Sequence, residues 1–263
     1  MWQEERRQRL RALLATFGGV SVDRVTEEFG VSRETIRRDL LEMEQNGELK
    51  RVRGGAVPHA ELREPPYAER QAVRLREKRQ IAASAASLVE SGQTLLLDAG
   101  STTAILSERL SQLSGLTIIT NSVDVASRIG TPDSTQDRRN KVVLIGGRFT
   151  AQPPATFGAS AINEIMRYNA DVAFVSPFGL DARAGATSYD PDEAEIARAM
   201  VACSKKTILL ADYSKLGVVS RVSYCTIDAL DTIILDRSAR THAEIANFKK
   251  TKSNIIFAQK RSA

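Results

Sequence analysis

The sequence predicts two folded parts in tandem. Residues 1–57 read as a winged helix-turn-helix, residues 71–263 as an α/β domain with a largely parallel sheet, and residues 58–70 as the connector between them. Three observations carry this. Apolar residues recur at helical spacing three times before residue 45, with glycines at the breaks. A basic stretch, "LKRVRGGAV" at 49–57, follows and contains no acid. From Gly92 onward, short apolar runs alternate with helical segments, the pattern of strands joined by crossover helices.

Composition sets the bounds. The chain has 263 residues, enough for two domains, and 42% of them are hydrophobic, enough for sizeable cores. Only 5% are aromatic, so aliphatic packing must dominate. The net charge is +5 and the pI about 9.3, which permits a nucleic-acid partner without requiring one. Cys203 and Cys225 form no Cys-x-x-Cys pair, and His59 and His242 are the only histidines. Zinc and disulfide frameworks are therefore not expected, and buried thiols in a reducing cytoplasm fit better. No motif calls for a cofactor. No run approaches the length needed to span a membrane, and "MWQEERRQRL" lacks the apolar core of a signal peptide.

In the first helix Leu10, Leu13, Leu14 and Phe17 share a face, and Gly18 and Gly19 end it. A second apolar set, Val22, Val25 and Phe29, follows Ser21 as N-cap and stops at Gly30, where a tight turn needs free φ. Ser32 caps a third helix with Ile36, Leu40 and Met43 on one side. The opposite side carries Glu34, Thr35 and Arg38, with Arg37 at its flank. A helix, a glycine turn and a helix make the arrangement whose second helix enters the DNA major groove. Ser32, Arg33, Glu34, Thr35 and Arg38 are candidates for base edges, and Arg37 for phosphate. Lys50, Arg51 and Arg53 then read as the wing that lays cations along the backbone.

Pro58, Pro65 and Pro66 break any helix in the connector. Beyond it, Ile81, Ala85 and Leu88 form a helical stripe, and Arg74, Arg76, Lys78 and Arg79 read as its solvated face, with a second DNA patch as the alternative. Strands are predicted near 94–98, 116–120, 141–147, 172–179, 207–212, 232–236 and 254–257. Helices are predicted near 102–112, 122–130, 158–168, 192–205 and 241–250. Ligands of such sheets bind at the carboxyl ends of the strands. There stand Asp98, Gly100, Ser101, Thr102 and Thr103; Asn121 and Ser122; Gly146 and Gly147; and Asp212, Ser214 and Lys215. Hydroxyls, amides, backbone N–H groups at helix starts and a cation together suit a phosphorylated sugar or polyol. Asp98 would repel a phosphate, and is expected to hold the loop or meet a sugar hydroxyl.

"VSRETIRRDLLEMEQNGELKRVRGGAV" resembles the N-terminal domain of the DeoR family of bacterial transcriptional regulators: V-S-x-x-T-I-R-R-D-L, then L-E-x-x-G-x-L, then a basic residue before G-G-A. Met43 replaces the usual Leu and Arg53 the common His. "DAGSTT", "ITNS", "LIGG", "GLDARAGATSYDPDEAEIARAM" and "LLADYSKLG" resemble the effector domain of the same family. "QPPATFGASA" and "SPFGLD" depart from it. The resemblance spans nearly the whole chain. It implies a Rossmann-like domain related to ribose-5-phosphate isomerase, glucosamine-6-phosphate deaminase and CoA transferases, with a phosphorylated sugar or sugar-acid effector. It also implies double-stranded operator DNA as partner, repression of a carbohydrate operon as the commoner outcome, and a homodimer or homotetramer in the cytoplasm.

The competing reading is an isomerase- or deaminase-like enzyme with an appended DNA-binding domain. Isomerisation needs a carboxylate base and an acid or cation for the developing oxyanion. Asp181, Asp190, Asp192, Glu193 and Glu195 offer carboxylates. The related isomerases carry a lysine in the glycine-rich stretch after their acidic residues, whereas "LDARAGATSYDP" has Arg183. Arginine stays protonated and transfers protons poorly. Regulation is the favoured reading, with Asp181 counted among the effector-binding residues.

Overall fold

A computed structural model describes residues 2–17, 20–46, 48–52, 54–58, 65–130 and 140–259. Gly18, Gly19, Gly47, Arg53, His59 and the 59–64 stretch of the connector lie outside the described residues, as does the side chain of Phe17. The chain divides into two compact units, Met1–Arg63 and Glu64–Ala263.

The first unit holds α1 (Gln3–Phe17), β1 (Val20–Ser21), α2 (Val22–Phe29), α3 (Arg33–Gln45), β2 (Leu49–Val52) and β3 (Gly55–Pro58). Leu10, Leu14, Val22, Val25, Phe29, Ile36, Leu40, Met43 and Leu49 form one core, so each expected stripe contributes. Gly30 takes a left-handed φ of 63° and its N–H returns to the Thr26 carbonyl, closing α2. Ser21 differs from expectation: its hydroxyl makes no capping bond. Instead Val20 and Ser21 pair with Ala56 and Gly55 as a third strand beside the wing. Gly55 is required there, because a Cβ would stand 2.0 Å from the Val20 carbonyl oxygen.

In the second unit, α4 (Tyr67–Ala72) and α5 (Leu75–Ala86) precede β4 (Thr94–Leu97), α6 (Ser101–Leu110), β5 (Thr117–Thr120), α7 (Val123–Gly130) and β6 (Lys141–Leu144). A hairpin of β7 (Arg148–Ala151) and β8 (Pro154–Phe157) leads to α8 (Ala159–Ile165) and β9 (Ala170–Val175). Then come β10 (Gly179–Asp181), β11 (Gly185–Ser188), α9 (Pro191–Ala202), β12 (Ser204–Ala211), β13 (Val222–Cys225), β14 (Thr232–Leu235), α10 (Ile245–Phe248) and β15 (Asn254–Phe257).

The main sheet runs β15-β14-β12-β9-β4-β5-β6, with every pairing parallel. Alternate strand residues feed two cores. Leu96, Ile119, Ala173 and Leu209 pack with α8 and α9. Leu95, Leu97, Ile118, Phe174 and Leu210 pack with α5, α6 and α7. Both faces are covered, which is why the strands read as unbroken apolar runs. Chain direction across the sheet reverses between β4 and β9, the topological switch point at which such sheets bind ligands.

Four features depart from the sequence-based expectation. The hairpin of β7 and β8 occupies the "QPPATFGASA" region. A small antiparallel sheet, β10-β11-β13, is added beside the main one. The expected helix at 241–250 is a 3-10 turn at Arg237–Thr241 and the single turn of α10. Cys203 and Cys225 are free thiols, but half-buried rather than fully enclosed. The end of the connector is also structured. Pro66 sits at the N-cap of α4, where its missing N–H costs nothing. Tyr67 is buried and donates to Asp124 of α7 at 2.8 Å.

Candidate functional site

α3 presents its expected outer face. Ser32 accepts the Thr35 N–H at 3.1 Å, a true N-cap, and Thr35 is half-buried rather than fully on the outer face. Glu34, Arg37 and Arg38 are exposed, and Arg33 pairs with Asp23 of α2 at 3.0 Å. The buried stripe has an unexpected member, Asp39, 1% exposed beside Ile36, Leu40 and Met43. Its carboxylate accepts from Arg6 Nε at 2.7 Å and Nη2 at 3.2 Å, with Gln3 alongside, while Arg7 bonds Glu42. A buried carboxylate needs such partners, so Asp39 ties α3 to α1. No ion pair engages Arg37, Arg38, Lys50 or Arg51 among the described residues. Lys50 and Arg51 are exposed on β2, and the Arg51 N–H donates to Glu44 Oε1 at 2.7 Å, fixing the wing to α3. The β2–β3 turn uses Gly54 at φ 84°.

A cavity in the second unit opens at the switch point. Asp98, Gly100, Ser101, Thr102, Asn121 and Lys215 all line it. Gly100 is there because the chain passes Ser176: a Cβ would lie 1.7 Å from Ser176 Oγ. Asp98 holds that crossing. It accepts from the Gly100 N–H at 3.0 Å, Thr103 Oγ1 at 2.7 Å, the Ser176 N–H at 2.6 Å and Ser176 Oγ at 3.1 Å. Burial pushes its carboxyl pKa up, against the pull of those hydrogen bonds. Helix α6 starts at this point with no side-chain cap, which leaves its opening N–H groups for a ligand.

Other expected site residues are placed elsewhere. Thr103 turns inward to Asp98. Ser122 caps α7, accepting the Val125 N–H at 3.2 Å. The Gly146 N–H donates to Glu164, and Gly147 makes room for the Phe157 carbonyl, 2.7 Å from where its Cβ would be. Asp181 accepts the Arg183 and Ala184 N–H groups, both at 2.8 Å, closing the β10–β11 turn. These five do not line the cavity, and Asp181 is occupied as a turn residue rather than poised as a base.

The cationic wall of the cavity also differs from expectation. Arg76 and Arg79 are exposed as expected, but Lys78 is 5% exposed and, with Arg70 and Arg74, lines the cavity. Lys78 Nζ donates to Ser101 Oγ at 2.9 Å and to the Arg70 carbonyl. Burial lowers its pKa to about 8; Asp212 opposes the fall, while Lys215, Arg70 and Arg74 add to it. The signal is present in the sequence: Lys78 stands three and four residues before Ile81 and Ala82, on the apolar stripe itself. Arg74 has a left-handed φ of 53°, the only non-glycine residue so placed among those described. Its guanidinium lies over the Tyr213 ring at 5.3 Å and 3.5 Å from Asp212. Lys215 Nζ sits 5.1 Å from the centre of the Phe178 ring.

A basic-faced α3 with a wing, followed by an anion-suited cavity in a parallel sheet, is a paired architecture with known counterparts. The chain matches the profile "DeoR-like helix-turn-helix domain" over residues 6–60 and "DeoR C terminal sensor domain" over residues 73–237. The chain belongs to the DeoR family. This DeoR-family chain is 34% identical to the HTH-type transcriptional regulator GlpR of Haloferax volcanii, over 90% of its own length and 91% of that protein's. It is 30% identical to the HTH-type transcriptional repressor GlcR of Bacillus subtilis, over 90% of each chain. It is 28% identical to the Glycerol-3-phosphate regulon repressor of Escherichia coli, over 90% of its length and 92% of that protein's. Among solved structures, ribose 5 phosphate isomerase A from Neisseria gonorrhoeae aligns at 18% identity over 55% of this chain and 54% of that one, with a TM-score of 0.39. The DeoR-family chain is a DNA-binding regulator, not an enzyme. Among the described residues no helix is long and apolar enough to cross a membrane.

Proposed function

We propose that the cavity binds a phosphorylated sugar, polyol or sugar acid, and that its occupancy sets the affinity of the first unit for operator DNA in repressing a carbohydrate-metabolism operon. The convergence of Lys78, Arg74, Lys215 and the uncapped start of α6 on one cavity at the switch point carries this reading. On the DNA side, Ser32, Arg33, Glu34, Thr35 and Arg38 face base edges, and Arg37, Lys50, Arg51 and Arg53 meet phosphates. Two-fold related copies, in a homodimer or homotetramer acting in the cytoplasm, engage paired half-sites. The coupling route is short along the chain: Pro65 and Arg70 of the connector, and Val73 and Arg74 just after it, line the cavity. A ligand that draws on Arg70 and Arg74 therefore loads the segment leading to the DNA-binding unit, favouring whichever state it binds better.

Thermal-shift screening of the full chain against phosphorylated and unphosphorylated sugars, polyols and sugar acids tests the reading. A true ligand raises the melting temperature with the logarithm of its concentration, and Lys78→Met removes the rise. Silence across all the anionic compounds would overturn the assignment.

A further inference from the structure

The cavity wall is not all cationic. Asn121 follows β5, while Asp212 and Lys215 follow β12, on opposite sides of the central β4–β9 pair. Two buried side-chain atoms in the cavity wall have no hydrogen-bond partner among the described residues: Asn121 Oδ1 and Tyr224 Oη. Asn121 is fully buried, Tyr224 is 4% exposed, and both line the cavity. The Asn121 amide is oriented, since its Nδ2 donates to the Thr156 carbonyl at 3.0 Å, so Oδ1 is left as a pure acceptor. Tyr224 arrives from β13 in the small sheet and lines the cavity together with Asp98 and Glu193. Burial holds that phenol far above its ordinary pKa, so it keeps its proton and can donate.

Buried polar groups left unpaired are costly, and each calls for an explanation. A tyrosine whose hydroxyl has no partner does nothing for the fold that phenylalanine would not do. Asp98 and Glu193 already repel negative charge at the phenol, so a neutral hydroxyl suits it better as a partner than an anion does. We infer that Tyr224 is a specificity-determining residue, whose phenol pairs with an oxygen of the effector's polyhydroxylated body while an effector hydroxyl donates to Asn121 Oδ1. The inference rests on the proposed effector site and divides its labour. The cations and the α6 start take the anionic group; Tyr224 and Asn121 discriminate among bodies. Sites built to pair a ligand hydroxyl reject analogues that lack it, because the site's own polar atoms are then stranded.

The test is Tyr224→Phe in the full chain, titrated with inorganic phosphate, glycerol 3-phosphate, ribose 5-phosphate and glucose 6-phosphate. The ligand-free variant should melt at or above the wild-type temperature, because an unpaired buried hydroxyl has been removed. Inorganic phosphate should bind both proteins equally. The tightest of the three organic phosphates should weaken about tenfold or more in the variant. Unchanged affinity for it would overturn the inference. So would a lower melting temperature of the ligand-free variant, which would give the hydroxyl a structural partner. If wild type answers inorganic phosphate but no organic phosphate binds more tightly, the hydroxyl assignment falls and the anion site stands. If it answers none of the four, the effector site itself falls.

Discussion

Arg38 and Asp39 are neighbours in the chain and opposites in role. Arg38 points outward with no ion-pair partner among the described residues, whereas Asp39 is buried and clasped by Arg6. Helical geometry alone separates Arg38 from the Ile36–Leu40–Met43 stripe. It does not reveal that an aspartate belongs to that stripe, because the arginines that neutralise it lie more than thirty residues earlier. The two residues should therefore fail differently. Arg38→Ala should leave the melting temperature near wild type and narrow the affinity gap between a selected operator duplex and a scrambled one by about 1–3 kcal/mol. Asp39→Ala removes the buried carboxylate that ties α3 to Arg6 of α1 and should destabilise the first unit by about 3 kcal/mol, lowering affinity for both duplexes through loss of folded protein. Calorimetry and fluorescence anisotropy on the two variants check this. Equal losses of stability would contradict the division.

At the scale of elements, α5 gives the sharpest prediction. The pKa of Lys78 is depressed to about 8 by burial, and an anion beside it favours the charged form. Ligand binding then takes up a proton, so affinity falls about tenfold as pH rises from 7 to 9. The sign for folding runs the other way. The unfolded lysine still holds its proton above pH 8 while the folded one has released it, so the ligand-free chain gains stability from about pH 8 to 10. Lys78→Arg should bind with a flat profile over the same range; an unchanged slope would remove Lys78 from the site. The sheet itself was legible, since all seven runs read as strands became its seven parallel members. Burial on both faces leaves an unmistakable apolar signature. The β7–β8 hairpin and the β10-β11-β13 sheet were not legible, because their short strands carry prolines, glycines and hydroxyls. Strand ends located Gly100, Ser101, Asn121 and Lys215 for the same reason the sheet could be read. Tyr224 escaped, because the strand that carries it joins a sheet the sequence did not announce.

At the scale of the whole molecule, two chemistries share one chain. The first unit offers exposed cations to DNA, and the second gathers cations around a cavity whose wall includes the end of the connector. Neither motif set accounts for the other alone: a DNA grip needs no anion cavity, and a sugar-phosphate site needs no recognition helix. Their coupling is the central claim. A duplex selected by the protein from a random pool is titrated by anisotropy at fixed salt, with and without each compound that raises the melting temperature. At least one such compound should move the duplex midpoint tenfold or more in wild type and not in Lys78→Met. If every compound that stabilises the wild-type chain leaves its duplex midpoint unmoved, the coupling is contradicted.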